Sequence, residues 1–202
     1  MSYFKENKYV IVKNILSKEI VDITSQYAIL DELTNYQGND NQVSNSHSVY
    51  GDKLMESLLL KLQPSIEYAT GLELLPTYSY YRVYREGNEL KKHKDRPSCE
   101  ISATVCFNYN YVGNPTYEWP MFVNGKPLLL EPGDAIIYRG MEVDHWRDPF
   151  QITRIGYHIQ GFFHYVDKKG PHTEHALDKR AFIGAPLKDK SKVKKDYITY
   201  TS

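Results

Sequence analysis

The strand character of the chain is set by residues 76–109, which read PTYSYYRVYREGNELKKHKDRPSCEISATVCFNY. Runs of β-branched and aromatic residues over 76–85 and 100–109 predict two strands. The polar triplet His93-Lys94-Asp95 lies between them. The stretch therefore predicts a β-rich core that carries a polar triplet between two of its strands.

Further strands are predicted downstream of this stretch. Asn124-Gly125 separates two apolar runs, which is a strong hairpin signal. Pro132-Gly133-Asp134 turns the chain into a predicted strand over 135–138, and residues 153–166 predict a last long strand.

The chain before residue 76 has mainly helical periodicity. Ser17 is predicted to cap a first helix. A second helix is predicted to begin near Asp52, to kink or break at Pro64 and to stop at Gly71. Residues 35–51 are polar and too long for a simple helix connection, so we expect them to lie over the site as a lid. The side chains there most able to contact a polar substrate are Ser44, Ser46, His47 and Tyr50.

Helices followed by six to eight short strands predict an α+β fold whose strands close into a sandwich or barrel. A length of 202 residues predicts a single domain, 1–202. Within it we expect a helical N-terminal part over 1–71, a β core over 76–166 and an irregular tail over 167–202. Five lysines make this tail locally basic over 188–195.

The composition disfavours several classes of protein. Lys and Arg together number 25, as do Asp and Glu, which argues against a nucleic-acid partner. Two cysteines are too few for a disulfide scaffold or a cysteine-ligated zinc fold. No apolar run reaches the ~20 residues of a membrane span, and the first residues lack the apolar core of a signal peptide. We therefore expect a cytoplasmic protein with no membrane partner.

His93 and Asp95 would point the same way on a strand, because residues two apart share a face. Among seven histidines, His145 stands out because it follows a turn and a strand, so a non-adjacent strand can bring it to the same site. Two histidines and one carboxylate on one face of a metal form the facial triad of non-haem Fe(II) oxygenases. We predict that these three residues are catalytic metal ligands.

Arg154 ends the stretch HWRDPFQITR, residues 145–154, and adds a cation downstream of this triad. The ordered set of matching residues is Tyr84-x-x-Gly87, His93-x-Asp95, Pro132-Gly133-Asp134, His145 and Arg154. From about residue 78 to 165 the chain resembles the 2-oxoglutarate- and Fe(II)-dependent oxygenases of the prolyl 4-hydroxylase type. The longer stretches around 93–96 and 138–140 look like uncharacterised oxygenases of bacteria and cyanophages.

The resemblance implies a double-stranded β-helix, a jelly-roll core with the N-terminal helices packed on one sheet. It implies that the triad binds Fe(II), that 2-oxoglutarate and O2 are cosubstrates, and that Arg154 pairs with the C5 carboxylate of 2-oxoglutarate. A cation near the C5 carboxylate is also expected on physical grounds, because a buried carboxylate without a cation would be costly.

Strand parity extends the predicted site. If Arg154 points inward, His158 and Gln160 do so too, and we interpret both as substrate contacts. A hydrogen-bonded core histidine is the alternative for His158. On the strand after the triplet, Thr104 and Asn108 are expected to share a face and to flank the cosubstrate, with Thr104 as a second partner for its C5 carboxylate.

Three further residues have two interpretations each. Tyr84 matches the family's tyrosine and is placed beside the cosubstrate, with a barrel-core aromatic as the alternative. Arg82 is assigned to the substrate pocket, or to an ion pair with Glu100 or another carboxylate. Arg147 is assigned to an acidic substrate or the C1 carboxylate, or to an ion pair with Asp144 or Asp148.

These residues predict a hydroxylase that converts 2-oxoglutarate and O2 to succinate and CO2 while it hydroxylates an unactivated C–H. The expected substrate is a prolyl or other residue in a peptide or protein, or a free amino acid. Three alternatives remain: an oxygenase of nucleic-acid bases, a non-catalytic protein of the same fold that binds a metal or a small acid, and a metal-dependent cupin isomerase. The balanced charge disfavours the first, the intact triad with Arg154 disfavours the second, and the small number of histidine ligands disfavours the third.

Overall fold

Two antiparallel sheets form the core of the structure, a computed structural model that describes residues 3–38, 40–114, 116–153 and 155–185. The six-stranded sheet consists, in spatial order, of β1 (Tyr9–Val12), β8 (Ala135–Arg139), β5 (Ile101–Asn110), β10 (Tyr157–Asp167), β3 (Leu74–Tyr84) and β2 (His47–Tyr50). The four-stranded sheet consists of β4 (Leu90–His93), β9 (His145–Arg147), β6 (Met121–Val123) and β7 (Lys126–Leu128).

The helices are α1 (Tyr3–Asn7), α2 (Lys18–Asn35) and α3 (Lys53–Thr70), with 3-10 segments at Pro97–Cys99 and Thr173–Lys179. The predicted ends of α3 are confirmed: the Asp52 carboxylate accepts two backbone N–H groups of the first turn, and Gly71 ends the helix with a φ of 72°. The predicted break at Pro64 is wrong, because α3 continues through it. Pro64 and Leu60, whose carbonyl loses its partner, are both exposed, so water can replace the missing bond.

The six-stranded sheet is covered on one face by helices and on the other by the smaller sheet. On the helical face, Leu59 and Ile66 of α3 pack in one cluster with Val105 and Phe163. On the opposite face, a second cluster joins strands of both sheets, for example through Cys106 and Met121. This arrangement confirms the predicted α+β sandwich with helices on one sheet.

The hairpin predicted at Asn124-Gly125 is confirmed. Val123 of β6 pairs with Lys126 of β7, so the turn has two residues, and both have positive φ, 52° and 79°. Asparagine and glycine are the residues that accept this conformation with least strain.

The segment predicted as a loop over 35–51 is partly strand. His47–Tyr50 form the edge strand β2, in which His47 pairs with Val83 and Tyr50 pairs with Tyr80 of β3. His47 is fully buried, so this end of the segment belongs to the core. The last strand begins later than predicted, at Tyr157 instead of 153.

A β-bulge in the pairing of β5 with β10 overturns one parity prediction. Gln160 pairs with Cys106, but Ile159 pairs with Asn108, so one residue of β5 is unpaired between them. Ile159 belongs to the helix-side cluster, and paired residues of neighbouring strands point to the same face. Asn108 therefore does not share the face of Thr104 and Cys106.

The chain after β10 packs back onto the sandwich as far as residue 185. Asp178 and Arg180 are both nearly buried, with 5% and 6% of their surfaces exposed. The basic stretch over 188–195 lies outside the described residues. In the part of the chain that the structure describes, no helix is long and apolar enough to cross a membrane.

Candidate active site

The three predicted metal ligands come together between the two sheets. His93 ends β4 and His145 begins β9, and the two residues are directly paired in the smaller sheet, with ring centroids 4.2 Å apart. Oδ1 of Asp95 lies 3.6 Å from Nε2 of His93 and 3.4 Å from Nε2 of His145. The three residues thus converge as predicted, although β4 ends at His93, so Asp95 follows the strand and does not lie on it.

Backbone carbonyls orient the two imidazoles. Nδ1 of His93 lies 2.8 Å from the Lys91 carbonyl, and Nδ1 of His145 lies 3.2 Å from the Val143 carbonyl. Because each Nδ1 faces a carbonyl, Nε2 is the nitrogen that each ring turns towards Asp95. Such a partner on the second nitrogen is the usual way in which a metal-binding histidine is oriented.

The Asp95 carboxylate is held as an anion. Burial alone would raise its pKa, but hydrogen bonds with His145 and His93 hold the pKa of Asp95 far below its usual range. Its Oδ2 accepts a hydrogen bond of 2.8 Å from Ser102, and its backbone N–H donates to the Gly140 carbonyl at 2.9 Å. The carboxylate is therefore fixed in position as well as in charge.

This donor set fits a divalent transition metal. The ligand atoms of His93, Asp95 and His145 lie within 4.8 Å of one another, and a metal would sit about 2 Å from each. Two nitrogens and one oxygen on one side leave three positions open, which is the arrangement used by Fe(II) in oxygenases.

A cavity of about 540 Å3 opens above the triad. This volume is typical of small-molecule sites. Its lining residues are Asp40, Asn41, Gln42, Tyr50, Tyr78, Tyr80, Arg82, Leu90, His93, Lys94, Asp95, Arg96, Cys99, Tyr138, His145, Phe162 and His164.

The predicted lid does reach this cavity, but mostly through other residues than those expected. Asp40, Asn41 and Gln42 line it together with Tyr50. The remaining three predicted contacts lie elsewhere: the Ser44 carbonyl accepts a hydrogen bond from Asn88, Ser46 bonds to the Val43 carbonyl, and His47 contacts Asp31 and Tyr81. The sequence offered only the polarity of this segment, which does not say which of its side chains turn inward.

Arg82 extends from β3 into the cavity and is almost completely buried, with 1% of its surface exposed. Its Nε donates to Oδ2 of Asp40 at 2.9 Å, and its Nη1 donates to the Tyr84 hydroxyl at 2.9 Å. The predicted alternative of an ion pair is therefore present, with Asp40 and not Glu100 as the partner.

Arg147 lies two residues after His145 and is also buried, with 1% exposed. Its Nε donates to Gln160 at 3.2 Å, its Nη1 donates to the Trp119 carbonyl, and its guanidinium stacks 4.4 Å from the Trp119 ring. Among the described residues, no carboxylate lies within 4.0 Å of its guanidinium. The predicted ion pair with Asp144 or Asp148 is thus wrong, and burial lowers the pKa of Arg147.

Strand parity placed His158 and Gln160 correctly on the inner face of β10. His158 is buried beside Arg147, its pKa is held well below the usual value by burial and by that cation, and its Nδ1 lies 2.8 Å from the Tyr111 hydroxyl. Nε2 of Gln160 is buried without a hydrogen-bond partner among the described residues. An unpaired buried amide is unusual and is consistent with a ligand group close to it.

The remaining predicted residues are placed as follows. Tyr84 is fully buried between Arg82 and Trp119. Thr104 faces the inside and lies 3.3 Å from the Tyr138 hydroxyl. Arg154 lies outside the described residues, so its expected role stays a prediction.

Sequence reasoning missed His164 and Ser102 as supports of the triad. Ser102 lies 2.9 Å from Nδ1 of His164 while it donates to Asp95, and burial lowers the pKa of His164 to about 4. A neutral His164 and its serine therefore hold the carboxylate. The same parity that placed Gln160 inward gives His164 that face, but the pairing of His164 with Ser102 of β5 depends on how two distant strands meet and has no signal in the sequence.

Comparison with known proteins identifies the fold. No protein-family model matches the sequence, and no curated protein is similar to it. Solved structures do match, among them a prolyl-4-hydroxylase from Pseudomonas putida (TM-score 0.56, 16% identity, 78% of this chain and 92% of that chain). A non-heme alpha-ketoglutarate-dependent epimerase from nogalamycin biosynthesis has a TM-score of 0.66 at 14% identity, over 93% of each chain. The chain has the double-stranded β-helix fold of these oxygenases.

A third match is the viral collagen prolyl hydroxylase of Paramecium Bursaria Chlorella virus-1, solved with 2-oxoglutarate (TM-score 0.59, 12% identity, 81% of this chain and 98% of that chain). The matches span almost the whole of these three proteins. The fold implied by the family resemblance is therefore confirmed.

Proposed function

We propose that the chain is an Fe(II)- and 2-oxoglutarate-dependent oxygenase that hydroxylates an unactivated C–H. The observation that carries the proposal is the convergence of His93, Asp95 and His145 on one point at the base of a cavity. These three side chains would hold Fe(II), which supplies the chelation of a 2-oxo acid and the activation of O2 when bound. Asp95 would supply the one negative charge among the three ligands.

Arg147 is the residue of the described chain best suited to the C5 carboxylate of 2-oxoglutarate. A buried arginine keeps its charge, and a buried charge without an anion is costly. Two residues along β9 from His145, it shares the face of that ligand at a distance of about 6–7 Å along the strand. A five-carbon diacid can span this distance. The unpaired amide of Gln160 beside it adds a second donor.

The role predicted for Arg154 competes with this assignment. Both arginines follow His145 in the sequence, and the resemblance to prolyl hydroxylases favours Arg154. The contacts of Arg147 favour Arg147, because Arg82 already has a carboxylate partner whereas Arg147 has none among the described residues. Substitution of each arginine separately distinguishes the two.

The substrate we propose is a prolyl or other amino-acid residue, in a peptide or as a free amino acid. Two of the three matched structures described above are prolyl hydroxylases, and the cavity is lined by charged, polar and aromatic side chains. A cavity of about 540 Å3 can admit one amino-acid residue.

The test is the O2-dependent conversion of 2-oxoglutarate to succinate after addition of Fe(II). We expect succinate from the parent protein and none from His145→Ala. The control is His175→Ala, which changes a histidine that does not line the cavity and should leave the rate unchanged. Equal succinate formation by parent and His145→Ala would refute the proposal.

A further inference from the structure

Arg82 is surrounded by three aromatic rings and paired with one carboxylate. Its guanidinium carbon lies 5.3 Å, 5.2 Å and 5.5 Å from the ring centroids of Tyr80, Tyr84 and Phe162. Rings at this distance stabilise the cation but cannot neutralise it. The site therefore needs one carboxylate, and it faces the open cavity.

The carboxylate that Arg82 binds comes from the loop above the cavity. Oδ2 of Asp40 accepts Nε of Arg82 at 2.9 Å and the Tyr80 hydroxyl at 2.8 Å. Oδ1 of Asp40 accepts the backbone N–H groups of Gln42 and Val43, at 2.7 Å and 3.2 Å. Only 5% of the Asp40 side chain is exposed, so the loop inserts one carboxylate into the site.

The same loop also contacts a metal ligand. Oε1 of Gln42 accepts Nη2 of Arg82 at 3.1 Å, and Nε2 of Gln42 lies 3.0 Å from Nε2 of His93. That nitrogen of His93 is the one that faces Asp95 and would bind a metal. The Gln42 amide must therefore leave it when the metal binds, and Gln42 is only two residues from Asp40. Metal binding would therefore displace a side chain of the same loop that carries the partner of Arg82.

We infer that Arg82 is the receptor for a carboxylate of the substrate, and that Asp40 holds the place of that carboxylate in the ligand-free protein. The inference rests on the proposed function and narrows its substrate to a carboxylic acid, such as a free amino acid or a C-terminal residue. Arg82 lines the open cavity, so a carboxylate of the substrate can reach it.

The competing interpretation is that Asp40 and Arg82 stay paired when the substrate binds and simply close the loop. The two interpretations predict opposite effects of Asp40→Asn. If Asp40 competes with the ligand, its removal frees the site and tightens binding. If the pair closes the loop over the ligand, its removal weakens binding.

The experiment is anaerobic calorimetry of the protein loaded with Fe(II) and 2-oxoglutarate, titrated with the common L-amino acids and with their C-terminal amides. We expect at least one acid to bind while its amide does not. The Asp40→Asn variant should bind that acid at least about tenfold more tightly. This factor is expected if Asp40 of the parent protein occupies Arg82 for about nine-tenths of the time or more, so that one-tenth or less of the protein is free to bind the acid. Arg82→Gln should lose the binding.

The matched control is Arg85→Gln. Arg85 pairs with Glu32 at 2.9 Å, another arginine–carboxylate pair, but neither residue lines the cavity. This variant should bind the acid like the parent. Hydrogen exchange at the amides of Gln42 and Val43 is a second readout, because both N–H groups should exchange faster when the acid displaces Asp40.

Several results would overturn the inference. Equal binding of every acid and its amide would do so, as would weaker binding by Asp40→Asn. If Asp40→Asn binds only 2-oxoglutarate more tightly, and no other acid, Arg82 belongs to the cosubstrate. If Fe(II) and 2-oxoglutarate do not bind, the oxygenase proposal fails, and the same titration of metal-free protein still tests Arg82, since the arginine is not a metal ligand.

Discussion

At the scale of single residues, the position of Asp95 depends on the absence of a side chain at residue 140. A Cβ built on Gly140 would collide with the Asp95 carboxylate and with the Cys99 carbonyl. The backbone on both sides of this contact is fixed, because Asp95 N–H donates to the Gly140 carbonyl and Gly140 N–H donates to the Glu100 carbonyl. The glycine therefore allows the carboxylate to reach the metal position.

Gly140→Ala should displace Asp95 and weaken Fe(II) binding by about 10–100-fold, the usual cost of disturbing the support of a metal ligand. Calorimetric titration with Fe(II) measures the effect. Gly170→Ala is the control, since a Cβ there meets residues outside the cavity at 3.0 Å or more. Unchanged Fe(II) affinity in Gly140→Ala would contradict the assigned role of this glycine.

Arg147 carries the second prediction at this scale. Arg147→Leu should leave Fe(II) binding intact but weaken 2-oxoglutarate binding by about 2–5 kcal/mol, the loss expected for one partner of a buried, hydrogen-bonded charge pair. Titration of the Fe(II)-loaded variant with 2-oxoglutarate measures this. If Arg154→Leu loses the affinity and Arg147→Leu keeps it, the role belongs to Arg154 as the resemblance implies.

At the scale of elements, the C-terminal 3-10 segment is tied to the cavity wall by Asp178. Oδ1 of Asp178 accepts Nη1 of Arg96 at 2.7 Å and the Ser98 hydroxyl at 2.9 Å, and Oδ2 accepts Nη2 of Arg96 at 2.8 Å and the Tyr50 hydroxyl at 2.6 Å. Burial raises the pKa of Asp178, but these hydrogen bonds outweigh it and lower the pKa to about 2. The segment is therefore held by an ionised carboxylate.

This pKa predicts a pH dependence of stability. Because the folded pKa is below the ordinary value of about 4, Asp178 stabilises the fold fully above about pH 5, and the contribution falls as the pH drops from about 4 to 2. Asp178→Asn should lower the free energy of unfolding by about 1–3 kcal/mol at pH 7. The difference from the parent should shrink towards pH 2.

Urea denaturation at several pH values measures this difference. Asp22→Asn is the control, because Asp22 forms an exposed pair with Lys18 and such pairs contribute little. A difference between parent and Asp178→Asn that is the same at pH 7 and pH 2 would contradict the assigned pKa.

The elements also show where sequence reasoning succeeds and where it stops. Local chemistry predicted the Asp52 and Gly71 caps and the Asn124-Gly125 turn, because each depends on a few neighbouring residues. Parity placed His158 and Gln160, because the side-chain period of a strand is two. It failed for Asn108, since a bulge depends on how two distant strands pair and leaves no pattern within either strand.

At the scale of the whole molecule, the balanced composition hides an uneven distribution of charge. Lys and Arg equal Asp and Glu in number, but two buried arginines, Arg82 and Arg147, lie beside the triad with Asp40 as their one ion-pair partner among the described residues. A carboxylate of the cosubstrate would give Arg147 such a partner. Composition could not predict this, because it depends on which charged residues the two sheets enclose.

The triad itself was predictable, because the i, i+2 spacing of His93 and Asp95 gives one pair, and the turn and strand before His145 set that histidine apart. The loop contacts of Asp40 and Gln42 were not, since they arise from a segment without periodicity whose path is set by the cavity beneath it. Residues of the site that lie on or next to regular strands are therefore the most predictable, and those contributed by the loop are the least.

If these three residues hold Fe(II) for chelation by a 2-oxo acid, the chelate should be visible in the anaerobic absorption spectrum. Fe(II) and 2-oxoglutarate added to the parent should give the weak charge-transfer band of the chelate. His93→Ala and His145→Ala should give none. His175→Ala, which removes a ligand from the separate cluster of His172, Glu174 and His175, should keep the band. An undiminished band in His93→Ala and His145→Ala, or no band in a parent protein that binds Fe(II), would contradict the account.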